Sequence, residues 1–251
     1  AGNPETGWGL AGETWQAMAS LDHYGGPTWF RLGDRDLGTH LFRTGRLADG
    51  AGLAEVTAEV AEAWGLGFRL LPATEDRLRT MVTLADGDEV GFQEYFVGLR
   101  HDVPVSGIRF DGADDAFPGP GVLEAITTAE AVVVAPSNPL VSIAPILAVP
   151  GVRDAVAARR ESAVAVSPIV GGSALKGPAD RMLAEMGHES SVVGVARLYR
   201  DLVATLVIDR VDADLADEVE AEGVRCVVTD TVMRTTEVAA ALAETTLGAV
   251  A

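Results

Sequence analysis

One segment of this sequence places short polar side chains between two prolines, where they could meet an anion. It is APSNPLVSIAP (135–145), which directly follows an apolar run. Ser137 and Asn138 offer polar groups, and Ser142 could cap a following helix whose free amides would face a negative charge. The alternative interpretation is an ordinary strand-to-helix turn without a ligand.

A second segment combines two glycines with a lysine. In SPIVGGSALKGPADRM (167–182), Gly171 and Gly172 allow close approach to the backbone, and Lys176 supplies a positive charge. A helix predicted from Pro178 would direct its dipole toward the same place. The spacing G-x-x-x-x-G-K-[ST] is absent, so this is not a P-loop. A flexible turn with a solvated lysine is the alternative.

A third candidate lies near the start of the chain, in TWFRLGDRDLGTH (28–40). Asp34 and Asp36 are two residues apart and could share a Mg²⁺ ion, while Arg31 and Arg35 could hold a phosphate or a carboxylate. Alternatively, one of the aspartates caps a helix. The dispersed histidines favour no zinc site.

Composition limits the class of protein. The chain has 251 residues, 48% of them hydrophobic, and a net charge of −18, so its surface repels nucleic acid. No apolar run is long enough to span a membrane, and no signal peptide is recognisable, although the chain does not begin with Met. With one cysteine there is no internal disulfide. We expect a cytoplasmic protein that binds small molecules.

The second half of the chain alternates apolar runs with helical patterns. The predicted strands are 131–136, 163–168, 206–210 and 225–230. Buried strands that alternate with helices predict an α/β fold, a Rossmann-like doubly wound and mainly parallel sheet. Ligands bind beyond the carboxyl ends of such strands. The two loops described above lie there, and so does TDTVMRTTE (229–237). The alternative for its Asp230 and Thr231 is that they only cap the last helix.

The first half has a different pattern. Residues 49–65 have apolar positions at helical spacing, and residues 79–98 predict an antiparallel hairpin with its turn at Asp86-Gly87-Asp88. We interpret residues 38–120 as an inserted α/β cap region within one domain, 1–251.

Several segments together resemble a known family. They are WFRLGDRDLGTHLFRT, APSNPLVSIAPILAVPGVRDAV, AVSPIVGGSALKGPADRML, LYRDLVATLVIDRVDAD and TDTVM, in this order. They resemble the 2-phospho-L-lactate transferase family of deazaflavin coenzyme F-420 biosynthesis. The similarity extends from NPETGWG to the C-terminal helix, which is essentially the whole chain.

The resemblance implies a specific reaction. Members transfer a phospholactyl or phosphoenolpyruvyl group from a guanosine diphosphate-activated donor to the hydroxyl of the deazaflavin Fo, releasing GMP, with the help of Mg²⁺. They are usually cytoplasmic homodimers with a Rossmann-like core. The composition resembles that of actinobacterial members, which favours the enolpyruvyl donor, but no residue distinguishes the two donors.

On this basis the candidate residues receive hypothetical roles. We assign the nucleotide to Ser137, Asn138, Gly171, Gly172 and Lys176. Arg31 is the candidate for contacting the deazaflavin, because the family has a basic residue before LGDRD. Asp34 and Asp36 are catalytic candidates and Arg35 a charge clamp. The metal ligands stay unassigned.

The chain also departs from the family pattern. Members begin with a strand and a glycine-rich loop of the GGTGG type, followed by aspartates of a P-D-x-D kind, and this sequence contains neither. We therefore expect a partial copy that keeps the fold, lacks part of the active site and exposes a sheet edge. The main alternative is a non-catalytic regulator of the same fold that binds nucleotide sugars. A generic oxidoreductase is disfavoured, since no G-x-G-x-x-G follows a strand.

Overall fold

The computed structural model describes residues 9–250. The helices are α1 (Gln16–His23), α2 (Asp34–Ala48), α3 (Leu53–Ala63), α4 (Val122–Thr128), α5 (Ala144–Leu147), α6 (Val152–Ala157), α7 (Ala179–Glu185), α8 (Val192–Tyr199), α9 (Ala216–Ala221) and α10 (Thr236–Gly248). The strands are β1 (Arg79–Leu84), β2 (Glu89–Gly91), β3 (Val105–Asp111), β4 (Val132–Val134), β5 (Ala163–Val166), β6 (Ile169–Val170), β7 (Ser173–Ala174), β8 (Thr205–Asp209) and β9 (Arg225–Thr229). Two π-helical turns, π1 (Glu94–Gly98) and π2 (Pro139–Ile143), and two short 3₁₀ turns, Arg160–Ser162 and Arg210–Leu215, complete the elements.

The centre of the fold is a parallel sheet in the order β4-β5-β8-β9. Its four strands coincide with the four apolar runs predicted from the sequence, and the helices connect them. The predicted α/β fold is confirmed. The structure thus brings the carboxyl ends of all four strands to one edge.

Helices cover both faces of this sheet. Successive side chains of a strand point to opposite faces, so each strand contributes to two separate clusters. On β5, Ala163 and Ala165 belong to the core formed with α7, α8 and α9. Val164 and Val166 lie in a separate cluster with Leu242 of α10. Burial on both faces explains why the strands read as continuous apolar runs.

A second, antiparallel sheet has the order β2-β1-β3. The predicted hairpin is present, with Met81 opposite Gly91 across the pair β1–β2. The hairpin is shorter than predicted, since its second strand ends at Gly91 and the chain then enters π1. The predicted hairpin extended to residue 98, but Phe92, Tyr95 and Phe96 pack in the cluster around Val82 and do not continue the strand.

The antiparallel sheet packs on the loops of the parallel sheet. Val82 and Tyr95 share a hydrophobic cluster with Val141 of π2 and Met182 of α7. π2 follows β4, and α7 follows β5, so the cluster lies at the carboxyl edge. This contact encloses the space above the strand ends.

Helices α1 to α3 form the N-terminal part of the described chain. Arg46 on α2 donates hydrogen bonds to Glu55 and Glu59 on α3, at 3.0 and 2.7 Å, and ties the two helices together. The part of the chain that the structure describes contains no helix that is both long and apolar enough to cross a membrane.

Candidate functional site

A pocket of about 620 Å³ opens at the carboxyl edge of the parallel sheet. Its wall comes from residues 136–142 after β4, residues 167–179 after β5 and residues 231–233 after β9, together with Phe92 and Phe96 from the antiparallel layer. Ligand pockets usually have volumes of this size. The structure therefore brings together the three loops that the sequence indicated.

Lys176 gives the pocket its charge. It is the only lysine of the chain, whose other strongly basic residues are all arginine. The described wall contains no carboxylate, although the chain as a whole has a net charge of −18. Across residues 9–250, no carboxylate forms an ion pair with Lys176. An exposed, flexible ammonium group in a carboxylate-free pocket favours an anionic ligand.

Asn138 shapes the loop after β4. Its side-chain oxygen accepts hydrogen bonds from the amides of Leu140 and Val141, at 2.9 and 3.4 Å, and so caps π2. The cap uses the amides that a free helix start would offer to an anion. Ser137 and Ser142, on either side, line the pocket with hydroxyl groups. The polar groups that this loop presents to a ligand are therefore hydroxyls.

Gly171 and Gly172 form the turn between β6 and β7. Both have positive φ, 60° and 77°, as the central residues of a type I′ hairpin turn require. The amide of Gly171 donates to the carboxylate of Asp212, at 2.9 and 3.2 Å, and the carbonyl of Gly172 accepts from the hydroxyl of Ser190. The two glycines do not line the pocket, whereas Lys176 does.

Asp209 fixes the loop after β9. The carboxylate is buried and accepts hydrogen bonds from the amide and hydroxyl of Thr231, at 2.8 and 3.0 Å, and from the amide of Val211, at 3.1 Å. Burial alone would raise the pKa of Asp209, but the hydrogen bonds outweigh it, and the pKa lies below its usual value. Thr231 is thereby held in the pocket wall.

We expect Asp209→Asn to destabilise the protein in a pH-dependent way. The depressed pKa means that Asp209 contributes stability above its ordinary pKa of 3.8, and that this contribution is lost as the pH falls through the folded-state value. The variant should lose about 2 kcal/mol near neutral pH, because its amide cannot accept all three hydrogen bonds. Thermal unfolding of both proteins between about pH 7 and about pH 3 measures this. A stability difference between the two proteins that becomes larger as the pH falls would contradict this prediction.

Two aromatic residues from the antiparallel layer also line the pocket. The rings of Phe92 and Phe96 are stacked, with centroids 5.5 Å apart and planes inclined by 24°, and His101 lies behind Phe96 at 5.1 Å. Sequence reasoning missed these residues, because they belong to the antiparallel layer and not to a strand-end loop. The only signal was the density of aromatic residues after Gly91.

The N-terminal candidates do not line this pocket. The guanidinium of Arg31 lies over the ring of Trp15, 5.4 Å from its centroid. Arg35 donates to the carbonyl of Ala11 at 2.7 Å. Asp36 lies in the first turn of α2.

Asp34 caps α1. Its carboxylate accepts hydrogen bonds from the hydroxyl of Thr14 and from the amides of Gln16 and Ala17, at 3.1 and 3.0 Å. The hydroxyl of Thr14 and the amide of Ala17 hold the pKa of Asp34 below its usual value. The capping alternative named from the sequence thus applies to Asp34, although it caps the preceding helix and not its own.

The described residues do not form a magnesium site of their own. Between residues 9 and 250, no three His, Cys, Asp or Glu side chains lie close enough together to hold a metal ion. The carboxylate of Asp34 is already used by its cap. Chemically, the arrangement can bind an anion beside Lys176 and a flat apolar group against the phenylalanines.

Comparison with known proteins shows the family of this chain. The sequence model of the family described as 2-phospho-L-lactate transferase CofD matches residues 10–247. A phosphoenolpyruvate transferase of Streptomyces griseus subsp. griseus is 46% identical over 250 residues, covering 98% of this chain and 79% of the relative. One from Thermobifida fusca is 45% identical over 84% of this chain and 67% of its own length.

Solved structures share the fold. Protein BH3568 of Bacillus halodurans matches with a TM-score of 0.58 at 20% identity, over 82% of this chain and 70% of that chain. A second structure of BH3568, described as a member of the upf0052 family, gives a TM-score of 0.52 at 18% identity, over 78% of this chain and 65% of that one. The match across nearly the whole sequence decides the family: this chain belongs to the 2-phospho-L-lactate transferase CofD family.

Proposed function

We propose that this protein transfers a phosphoenolpyruvyl or 2-phospho-L-lactyl group from a GDP-activated donor to the hydroxyl of the deazaflavin Fo, releasing GMP, in coenzyme F-420 biosynthesis. Membership of the CofD family makes it a transferase of that pathway. The relatives named phosphoenolpyruvate transferase support the enolpyruvyl donor.

One observation carries the proposal at the level of the site. A carboxylate-free pocket at the carboxyl edge of the sheet contains the only lysine of a strongly acidic chain. A diphosphate is the part of the proposed donor that needs such a charge. The stacked phenylalanines in the same pocket are suited to a planar ring, which both the guanine and the deazaflavin possess.

The residues of the chain have defined tasks in this reaction. The hydroxyl oxygen of Fo forms a bond to the phosphorus that carries the three-carbon group, the bond from that phosphorus to the bridging oxygen breaks, and GMP departs with the electron pair. Lys176 would stabilise the charge on the departing phosphate, and Ser137 and Ser142 would donate hydrogen bonds to phosphate oxygens. The hydroxyl proton passes to solvent in this scheme.

Several further roles belong to the same proposal. Asn138, Gly171 and Gly172 would act by shaping the nucleotide loops. Arg31 would contact the deazaflavin, with Arg35 beside it. Asp36 is then a better candidate than Asp34 for orienting the hydroxyl of Fo, because the carboxylate of Asp34 already accepts the hydrogen bonds that cap α1.

We include Mg²⁺, a homodimer and a cytoplasmic location in the proposal. A divalent ion would neutralise charge on the diphosphate, and it commonly binds substrate phosphates with only one or two carboxylates. No reaction step is assigned to it, since no described cluster holds it.

Turnover with defined substrates tests this function. The chain, Fo, Mg²⁺ and each GDP-linked three-carbon donor are incubated together, and the products are resolved by mass, with the Streptomyces griseus relative as the positive control. We expect an Fo adduct and stoichiometric GMP, with more product from the enolpyruvyl donor.

Two outcomes would overturn it. If the control turns over while this chain neither forms product nor binds GDP, the transferase proposal is wrong. Tight binding of a nucleotide sugar under the same conditions, with no affinity for Fo, would favour the non-catalytic regulator.

A further inference from the structure

A chain of polar contacts connects the aromatic wall of the pocket to α7. Arg181 on α7 donates through Nη2 to the hydroxyl of Tyr95 at 2.5 Å. Its Nε lies 3.3 Å from Oε1 of Glu185, and Oε2 of Glu185 accepts from the amide of Val105 at 3.0 Å. Two residues of one helix therefore hold both π1 and the start of β3.

Tyr95 also holds the turn that follows π1. Its carbonyl accepts from the amide of His101 at 2.9 Å, and its hydroxyl donates to the carbonyl of His101 at 3.5 Å. Arg100 and His101 both have positive φ, 52° and 46°, which is uncommon for residues other than glycine. A strained turn persists only where its surroundings enforce it. Here the main-chain carbonyl and the side-chain hydroxyl of Tyr95 both form hydrogen bonds with His101 and hold the turn.

The position of Tyr95 relates this network to the pocket. Phe96 follows it directly, and Phe92 lies three residues before it, so the two pocket-lining rings flank the anchored residue. On the other side, Lys176 and Gly177 lie just ahead of α7. A Cβ atom added to Gly177 would be 3.6 Å from the ring of Phe96, so the two walls are close to contact.

Tyr95 forms the buried end of this network, whereas the side chain of Arg181 is 35% exposed. Tyr95 is completely inaccessible and packs in the cluster with Val82, Leu84 and Met182. Burial raises the pKa of Tyr95, so its hydroxyl stays neutral and can both accept and donate. In these surroundings the Tyr95 hydroxyl both accepts and donates a hydrogen bond, whereas Nε of Arg181 is held only by its ion pair with Glu185. A different geometry at Tyr95 would leave its buried hydroxyl unpaired.

We propose that Tyr95 and Arg181 are positioning residues that set the distance between the phenylalanine wall and Lys176. They contact no part of the pocket's ligand and act through Phe96 and Gly177. The ligand whose affinity they control is a guanosine diphosphate compound, an identification that rests on the proposed function. The spacing itself is a property of the chain and does not depend on that identification.

The test is Tyr95→Phe, which removes one hydroxyl and leaves the ring. The matched control is Tyr199→Phe on α8, because the hydroxyl of Tyr199 is also buried but has no hydrogen-bond partner. We expect the dissociation constant for GDP to rise about tenfold in Tyr95→Phe and to stay unchanged in Tyr199→Phe. The kcat at saturating donor should stay within about twofold in both.

Amide hydrogen exchange provides a readout that needs no ligand. Exchange in residues 92–101 and 172–178 should accelerate in Tyr95→Phe and not in Tyr199→Phe. If wild type binds no GDP, the proposed function fails, and the exchange data alone decide the positioning role. Wild-type exchange and wild-type GDP affinity in Tyr95→Phe would overturn it.

A second variant keeps the test informative if Tyr95→Phe folds poorly. Arg181→Met removes the other partner, and the double variant should lose no more GDP affinity than Arg181→Met alone, since both changes break one interaction. A purely stabilising hydrogen bond would lower the unfolding temperature but leave the GDP affinity of the folded protein unchanged. Additive losses in the double variant would also overturn the proposal.

Discussion

Lys176→Met is expected to weaken GDP binding by roughly 10- to 100-fold, because a hydrogen bond from a charged group to phosphate contributes about 1.5–3 kcal/mol. No other cation lines the pocket in the described part of the chain, so no neighbouring charge compensates. Methionine keeps an unbranched stem that extends to the Cε position and removes the charged amine. Isothermal titration with GDP, at low and at physiological ionic strength, measures the loss.

Two variants make this result specific. Lys176→Arg keeps the charge and should retain most of the affinity. Arg153→Ala, on the exposed side of α6, removes one positive charge outside the pocket and should leave GDP binding nearly unchanged. Equal losses in Arg153→Ala and Lys176→Met would mean that the net charge matters and the pocket does not.

The composition of the chain offers an independent check. Since Lys176 is the only lysine, an amine-specific reagent can modify only this residue and the N-terminal amine. GDP should protect Lys176 and leave the N-terminal amine reactive, as mass spectrometry of the digested protein would reveal. Unprotected labelling at saturating GDP would remove Lys176 from the site.

Gly194→Ala is expected to be the most damaging of the simple substitutions for stability. A Cβ at this position would lie 1.9 Å from the carbonyl oxygen of Glu189, a main-chain atom that cannot move aside. The reason is the helix cap: the Ser191 hydroxyl accepts from the amide of Gly194, which draws the preceding chain across the first turn of α8. α8 is buried, so relaxation would disturb the core.

The expected loss is about 3 kcal/mol, the upper part of the usual range for overpacking. For a chain of this size it corresponds to a decrease of roughly 6–12 °C in the unfolding temperature. Gly45→Ala on α2 is the control, because nothing lies within 4 Å of its added Cβ. That change should stabilise the protein by about 0.5–1 kcal/mol, the ordinary advantage of alanine in a helix. Calorimetry measures the unfolding temperatures of both variants. An unfolding temperature of Gly194→Ala above that of the wild type would contradict the steric argument.

Much of the fold follows from local patterns. The four apolar runs predicted the strands of the parallel sheet, because strands covered on both faces cannot alternate with polar residues. The Asp86-Gly87-Asp88 turn predicted the hairpin. The loops containing Ser137, Lys176 and Thr231 could be located as well, because parallel strands direct all their carboxyl ends to one edge.

Other features depended on contacts between distant segments. Phe92 and Phe96 became pocket residues only because the antiparallel sheet packs on π2 and α7. The amide of Gly171 donates a hydrogen bond to the carboxylate of Asp212, which lies 41 positions further along the chain. No local spacing indicates this partner. Asp34 likewise caps a helix that precedes it.

The sequence by itself thus determined the strands of the parallel sheet, their order along the chain and the edge at which the pocket opens, since these depend on periodicity and on the direction of parallel strands. The tertiary structure decided which polar groups stay available in that pocket. Hydrogen-bond donors and acceptors buried by folding must find partners, and those partners are chosen in three dimensions. Lys176 stays available in the pocket because folding brings no carboxylate of the described chain to it.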